Sequence, residues 1–219
     1  MTTTGVLFDM DGVLVASATL HLRAYEQVFR SAGLVFSDAA SAAVLEGQPR
    51  ARVIDIALAG SHTELKQSLS DAKPEALKVI LADELDCGAP GARETVHALG
   101  RAGFPIGVVT NSRAPDAWIE KLGIQEHLRA VITGDDVSAP KPSPEGYLLG
   151  AERLGLPPSS CFAIEDSRDG WLAATRAGMR VILIADGKPE WISDRTEVLE
   201  RLDPDWMLTR LRAVGSARR

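Results

Sequence analysis

Short apolar runs rich in β-branched residues, each closed by Asp, Asn or Gly, recur along the chain at Val6–Phe8, Ile106–Thr110, Ala130–Thr133, Cys161–Ile164 and Val181–Ile184. Runs of that length and composition are buried strands. Between most of them the apolar positions change to helical spacing, over about 115–122, about 144–154 up to Gly155 and about 168–177 up to Gly178. Strands that are apolar on both faces and alternate with helices predict an α/β fold, a doubly wound and mostly parallel sheet of Rossmann-like type covered by helices.

About 95 residues separate the first run from the second, far more than one crossover helix needs. Within them, 18–32 places Leu20, Ala24, Val28 and Phe29 on one face, 50–59 and 63–86 continue in amphipathic helical style, and Ser37-Asp38 caps a short helix. The expected organisation is therefore a core of residues 1–16 and 89–219 with a small helical domain of residues 17–88 inserted, Cys87–Gly91 forming the return hinge. After Asp203 the chain runs to Gly-Ser-Ala-Arg-Arg, and this tail is expected to fray.

Composition narrows the partners. The 24 Lys and Arg against 30 Asp and Glu give a net charge of -6, so nucleic acid or an anionic membrane gains no general attraction and an anionic ligand must be bound locally. Cys87 and Cys161 stand in unrelated contexts and suggest neither a disulfide framework nor a zinc cluster. With no signal-like segment and no apolar run of spanning length, the expectation is a cytoplasmic protein without membrane or nucleic-acid partners, a monomer or weak homodimer.

In an open parallel sheet the site lies beyond the carboxyl ends of the strands, so the residues just after each apolar run carry the chemistry. Here those positions are Asp9 and Asp11, Thr110-Asn111-Ser112, Asp135 and Lys141, and Glu165-Asp166. Carboxylates gathered from separate segments repel one another unless a cation lies between them, and an all-oxygen set suits Mg²⁺ completed by a substrate phosphate. Thr110, the amides after it and Lys141 then provide hydrogen bonds and positive charge for a bound anion, a combination that describes phosphoryl transfer.

These residues resemble the haloacid dehalogenase superfamily phosphatases of the subgroup with a helical cap. FDMDGVLV is similar to the first motif, VVTNS to the second, KPSPEGY to the lysine motif and IEDSRDG to the fourth, in the family's order and over nearly the whole chain. The resemblance implies that Asp9 attacks phosphorus to give an aspartyl phosphate and that Asp11 serves as acid and then base. It further implies that Asp9, Asp11 through its backbone carbonyl, and Asp166 hold Mg²⁺, with Glu165 in support. Thr110, Asn111 and Ser112 would bind the phosphoryl oxygens, Lys141 would neutralise charge between Asp9 and the phosphate, and Gly12 would let the backbone turn beside them.

Two segments of the insertion point to the sugar-phosphate branch of that family. His21 in ATLHLRAY and Gly47 and Arg50 in LEGQPRARV resemble its substrate-facing segments, with Arg52 the competing arginine. His62, His97 and His127 have no suggestive company in sequence and are expected at the surface, while the tryptophans are expected to pack. Ala16 stands where many members carry Asp, and Val13 replaces the commoner Thr. The function expected is a Mg²⁺-dependent phosphatase of a small phosphorylated metabolite, a phosphosugar foremost. The alternatives are a β-phosphoglucomutase-like isomerase and, behind it, a catalytically silent binding protein. Dehalogenation is disfavoured because Asp11 is retained.

Overall fold

The computed structural model describes residues 4–84, 86–194 and 196–216. The chain opens with strand β1 (Gly5–Phe8) and then forms helices α1 (Ser17–Ser31), α2 (Asp38–Leu45), α3 (Arg50–Leu58) and α4 (Lys66–Asp83). It continues through α5 (Ala92–Arg101), β2 (Ile106–Val109), α6 (Asp116–Leu122), β3 (Leu128–Ile132), α7 (Glu145–Leu154) and β4 (Cys161–Glu165). The remaining elements are α8 (Arg168–Arg176), β5 (Arg180–Ile184), β6 (Glu197–Leu199) and α9 (Pro204–Ser216). The strands form one sheet in the order β3-β2-β1-β4-β5-β6, and every pairing is parallel.

Every residue of β1, β2 and β4 is buried, which is why these strands read as unbroken apolar runs. Leu7 packs with Val109, Ala163 and Val181 against Tyr147 and Ala151 of α7 and Ala173 and Ala174 of α8. Val6 and Phe8 point the other way by strand alternation and are equally buried, on the side where α5 meets β2 and α9.

Two readings of the sequence need correction. The stretch after Asp203 does not fray over its described length: Asp203 Oδ1 accepts the Trp206 N–H at 2.8 Å, and α9 follows with Met207 and Leu211 fully buried. Met207, Leu211 and Val214 carry the helical spacing that the composition of the last residues obscured; residues 217–219 lie outside the described ones. The sheet also has a sixth strand, β6, a half-buried edge strand of 3 residues with no apolar run to announce it.

Contacts divide the chain into two compact units, one made of the residues up to Val15 with those from Gly88 onward, the other of Ala16–Cys87. Val15 and Gly88 form an antiparallel bridge, and the Ala89 N–H donates to the Leu14 carbonyl at 3.0 Å, so the two ends of the first unit are adjacent where the insertion leaves and returns. Within the inserted unit α1 packs on α4, burying Leu20, Ala24, Val28 and Phe29 as their spacing requires. Phe36 stacks on Tyr25 at 5.4 Å between ring centroids and meets Phe29 edge-on at 5.0 Å. Ser37 caps α2 by accepting the Ala40 N–H at 3.3 Å. No helix among the described residues is long and apolar enough to cross a membrane.

Candidate active site

From β1 the chain order runs outward to β2 and β3, then returns to the other side of β1 for β4, β5 and β6. The carboxyl ends of β1 and β4 thus flank the point where the winding reverses, the place such sheets bind ligands. The Asp9 N–H donates to the Ile164 carbonyl at 2.8 Å, carrying the ladder one residue past β1. The backbone then closes tightly, with the Leu14 and Val15 N–H groups donating to the Met10 carbonyl and that of Gly12 to the Val15 carbonyl, each at 2.9 Å. Gly12 has φ +81°, and a Cβ there would lie 1.8 Å from Asp166 Oδ2. Only glycine allows this turn to lie against that carboxylate.

Lys141, after β3, reaches back into the same place. Its Nζ donates to Asp9 Oδ1 at 2.5 Å and to Glu165 Oε1 at 2.6 Å, with its side chain 8% exposed. Glu165 is fully buried and accepts on both oxygens: Oε1 also receives the Tyr147 hydroxyl at 2.6 Å, while Oε2 receives the Ser167 hydroxyl at 3.1 Å and the Asp166 N–H at 3.3 Å. Its carboxylate sits over Gly170, where a Cβ would approach within 1.9 Å. Glu165 is therefore fixed by its surroundings, and it in turn aims the ammonium at Asp9.

The charges at this edge are unbalanced. Burial raises the Asp9 carboxyl well above its ordinary range; Lys141 opposes that, and Glu165, Asp166 and Asp11 add to it. Asp166, which keeps some solvent contact, is pushed up to about 7 by burial and then by Glu165, against the pull of Lys141. Burial alone would lower Lys141, but the Asp9 and Glu165 charges outweigh it and hold the ammonium protonated. Tyr147 is raised by burial and by the Glu165 and Asp9 charges.

One lysine among these carboxylates leaves an excess of negative charge in a desolvated site. Carboxylate oxygens of Asp9, Glu165 and Asp166 lie within 4.8 Å of one another, and the Asp166 carboxylate takes the space that a Cβ on residue 12 would fill. An all-oxygen donor set with excess negative charge fits a hard divalent cation such as Mg²⁺.

The second motif closes the site from β2. Thr110, 4% exposed, donates its N–H to the Ile132 carbonyl at 2.9 Å, and its Oγ1 accepts the Ser112 N–H at 3.0 Å. Asn111 Oδ1 accepts the Lys141 N–H at 3.1 Å, tying the second motif to the lysine loop. Asp9, Asp11, Gly12, Thr110, Asn111, Ser112, Lys141, Glu165 and Asp166 thus cluster beyond the carboxyl ends of neighbouring strands in one unit.

His21, Gly47 and Arg50 belong to the inserted unit. His21 Nδ1 lies 2.5 Å from Lys73 Nζ, a buried ammonium that also sits 5.3 Å over the Tyr25 ring. Arg50 Nη1 donates to the Ser70 carbonyl at 3.3 Å and is close enough to Tyr25 to oppose the rise that burial gives its hydroxyl. Gly47, at φ +71°, ends α2, and the N–H groups of residues 47 and 48 donate back to the carbonyls of Val44 and Ala43. That helix ending accounts for the glycine without a ligand.

Sequence reasoning missed Tyr147 and Lys73. Tyr147 reads as an ordinary core aromatic of α7. For Lys73 a signal existed, because Leu69, Lys73, Ala76 and Ile80 lie along the buried face of α4 and place a lysine at a core position.

Residues 3–178 match the family model of haloacid dehalogenase-like hydrolase. The fructose-1-phosphate phosphatase YqaB of Escherichia coli (strain K12) is 30% identical over 179 residues, 81% of this chain and 94% of that protein. A phosphorylated carbohydrates phosphatase of Thermotoga maritima is 30% identical over 181 residues, 81% of this chain and 82% of that protein. The crystal structure of CbbY from Rhodobacter sphaeroides in complex with phosphate superposes with a TM-score of 0.75 at 25% identity, covering 91% of this chain and 95% of that one.

Proposed function

The chain belongs to the haloacid dehalogenase-like hydrolase family, and on that premise we propose that it is a Mg²⁺-dependent phosphatase of a small phosphosugar, working through an aspartyl-phosphate intermediate. The observation that carries the reading is the buried Lys141 ammonium held between Asp9 and Glu165 beside Asp166. The substrate class is supported by the names of the two phosphatase relatives, one of fructose 1-phosphate and one of phosphorylated carbohydrates.

In the proposed reaction a carboxylate oxygen of Asp9 attacks phosphorus as the ester P–O bond breaks, and Asp11 gives its proton to the departing sugar oxygen. Asp11, now a carboxylate, takes a proton from water as that water attacks phosphorus. The bond to Asp9 breaks and inorganic phosphate leaves. Lys141 holds Asp9 in place and offsets charge on the phosphoryl oxygens, while the Thr110 and Ser112 hydroxyls and the Asn111 amide donate to them. Asp9, the Asp11 backbone carbonyl and Asp166 are the residues proposed to hold Mg²⁺, with Glu165 supporting them through Lys141. When bound, the ion supplies neutralisation of the carboxylate and phosphoryl charge. Substrate choice is assigned to the inserted unit as a cap, through His21 and Arg50, with Ala16 removing one carboxylate relative to the family pattern.

The test is release of inorganic phosphate from a panel of sugar monophosphates, with Mg²⁺ and with a chelator. Stoichiometric release that needs Mg²⁺ and disappears in Asp9→Asn is the expected result. An isomerised sugar phosphate with little free phosphate would replace the phosphatase reading by a mutase, and turnover unchanged in Asp9→Asn would remove the nucleophile.

A further inference from the structure

His97 and His127, 30 positions apart and unremarkable in sequence, are brought together by the fold. His97 lies on α5, and Glu126 and His127 lie on the single helical turn Gln125–His127 that leads into β3. Nδ1 of His97 and Nε2 of His127 are 2.7 Å apart, the rings perpendicular with centroids at 4.8 Å. Glu126 Oε1 lies 3.5 Å from the same Nε2. The ligand atoms of the three side chains all fall within 4.8 Å of one another.

The arrangement is built into the packing. The His127 side chain is 14% exposed and lies on the backbone of α5 at Gly100, where a Cβ would come within 2.4 Å of its Nδ1. Gly100 is one helical turn beyond His97, so the absence of a side chain there is what seats one imidazole against the other. His97 also borders a groove of about 480 Å³, lined in addition by Arg93, Glu94, Arg101 and Asp205, through which a small solute can reach it. The cluster stands at the amino edge of the sheet, where β3 begins, whereas Asp9 and its neighbours stand at the carboxyl edge.

We propose that His97, Glu126 and His127 form a second cation site, selective for a borderline divalent ion of the Zn²⁺ type. Two imidazoles and a carboxylate are the donor set of such ions, whereas Mg²⁺ prefers oxygen ligands and several waters. Bonds of roughly 2.0–2.1 Å in a tetrahedron set ligand atoms about 3.3 Å apart. The Glu126-to-His127 separation of 3.5 Å already matches, the Glu126 and His97 ligand atoms lie within 4.8 Å, and the imidazole pair needs to open by roughly 0.6 Å from its 2.7 Å hydrogen bond, adjustments within reach of small side-chain rotations. Water completes the fourth position. The ion joins α5 to the turn that enters β3, so its expected consequence is stabilisation of the folded core rather than chemistry.

The test uses the full chain saturated with Mg²⁺, to fill the carboxylate edge proposed above to hold it, titrated with Co²⁺ as a spectroscopic probe and with Zn²⁺ by calorimetry and thermal melting. The expected result is one equivalent of Co²⁺ with a four-coordinate visible spectrum, displaced by Zn²⁺, and a higher Tm with Zn²⁺ present. His127→Gln and Glu126→Gln should each weaken binding about tenfold or more while phosphate release in Mg²⁺ stays at the wild-type level. Asp9→Asn should leave the spectrum intact. No Co²⁺ spectrum in the wild type, a spectrum indifferent to Glu126→Gln and His127→Gln, or one lost in Asp9→Asn would each overturn the proposal. Glu126 is 75% exposed, so its variant keeps the test valid if a histidine variant fails to fold.

Discussion

At the scale of single residues, the site is governed by how few charges of one sign face how many of the other. Asp166 illustrates the consequence for pH. Its carboxyl is held at about 7 against an ordinary 3.8, so the folded state holds that proton more tightly than the unfolded one. Such a group stabilises the fold at low pH, and the contribution is lost as pH rises from the ordinary value through about 7. In a chelator the Tm should therefore fall on going from about pH 5 to about pH 8, Mg²⁺ should restore it at the higher pH, and Asp166→Asn should flatten the dependence. Thermal melts across that range check all of this. Gly12→Ala is the steric counterpart: the added methyl meets Asp166 Oδ2 at 1.8 Å in a left-handed backbone, so Mg²⁺-dependent turnover should drop at least about a hundredfold. Steady-state kinetics on folded variant would show it. Asp9, Thr110, Lys141 and Glu165-Asp166 were legible in sequence because each comes just after an apolar run. Tyr147 and the histidine pair were not, because their partners come from segments whose adjacency depends on helix packing.

At the scale of elements, the loop that delivers Lys141 is braced from behind. Asp136 accepts the Thr133 N–H at 2.8 Å, the Thr133 hydroxyl at 2.7 Å and Arg153 Nη2 at 2.6 Å, and Arg153 also donates to the Val131 carbonyl at 2.8 Å. The backbone and hydroxyl of Thr133, then Arg153, hold the Asp136 carboxyl down at about 2. This contribution is present above the ordinary carboxylate value of 3.8 and is lost as pH falls through about 2, opposite in sign to that of Asp166. The side chain is 25% exposed, which screens it, so Asp136→Ala should cost about 1 kcal/mol at neutral pH by denaturant unfolding. Leu211→Ala in α9 should cost more, about 2–5 kcal/mol, because a fully buried leucine is lost from a packed helix. The contrast also explains what sequence reading recovers at this scale. Helices α1, α6, α7 and α8 announce themselves by an apolar face, whereas α9 was hidden by the polar composition of the last few residues and β6 by being a short edge strand with a leading Glu197.

At the scale of the whole molecule, the groups proposed for phosphoryl transfer all belong to the unit that contains the sheet, and the helical unit is an excursion from it. The excursion leaves after Val15 and returns at Gly88, and the bridge between those residues belongs to the sheet unit itself, as does the bond from the Ala89 N–H to the Leu14 carbonyl. A chain whose ends meet across an insertion needs only a short linker to close without it. Replacing residues 17–86 by a few glycines and serines should therefore leave a protein that melts cooperatively and whose Tm still rises with Mg²⁺, because Asp9, Lys141, Glu165 and Asp166 keep their elements. Circular dichroism melts with and without Mg²⁺ read both properties. Discrimination among sugar monophosphates should be lost in the same protein, since His21 and Arg50 leave with the insertion. If the shortened chain fails to fold, the sheet depends on the helical unit for stability; if it folds, binds Mg²⁺ and still discriminates among sugar phosphates, specificity resides in the loops of the sheet instead.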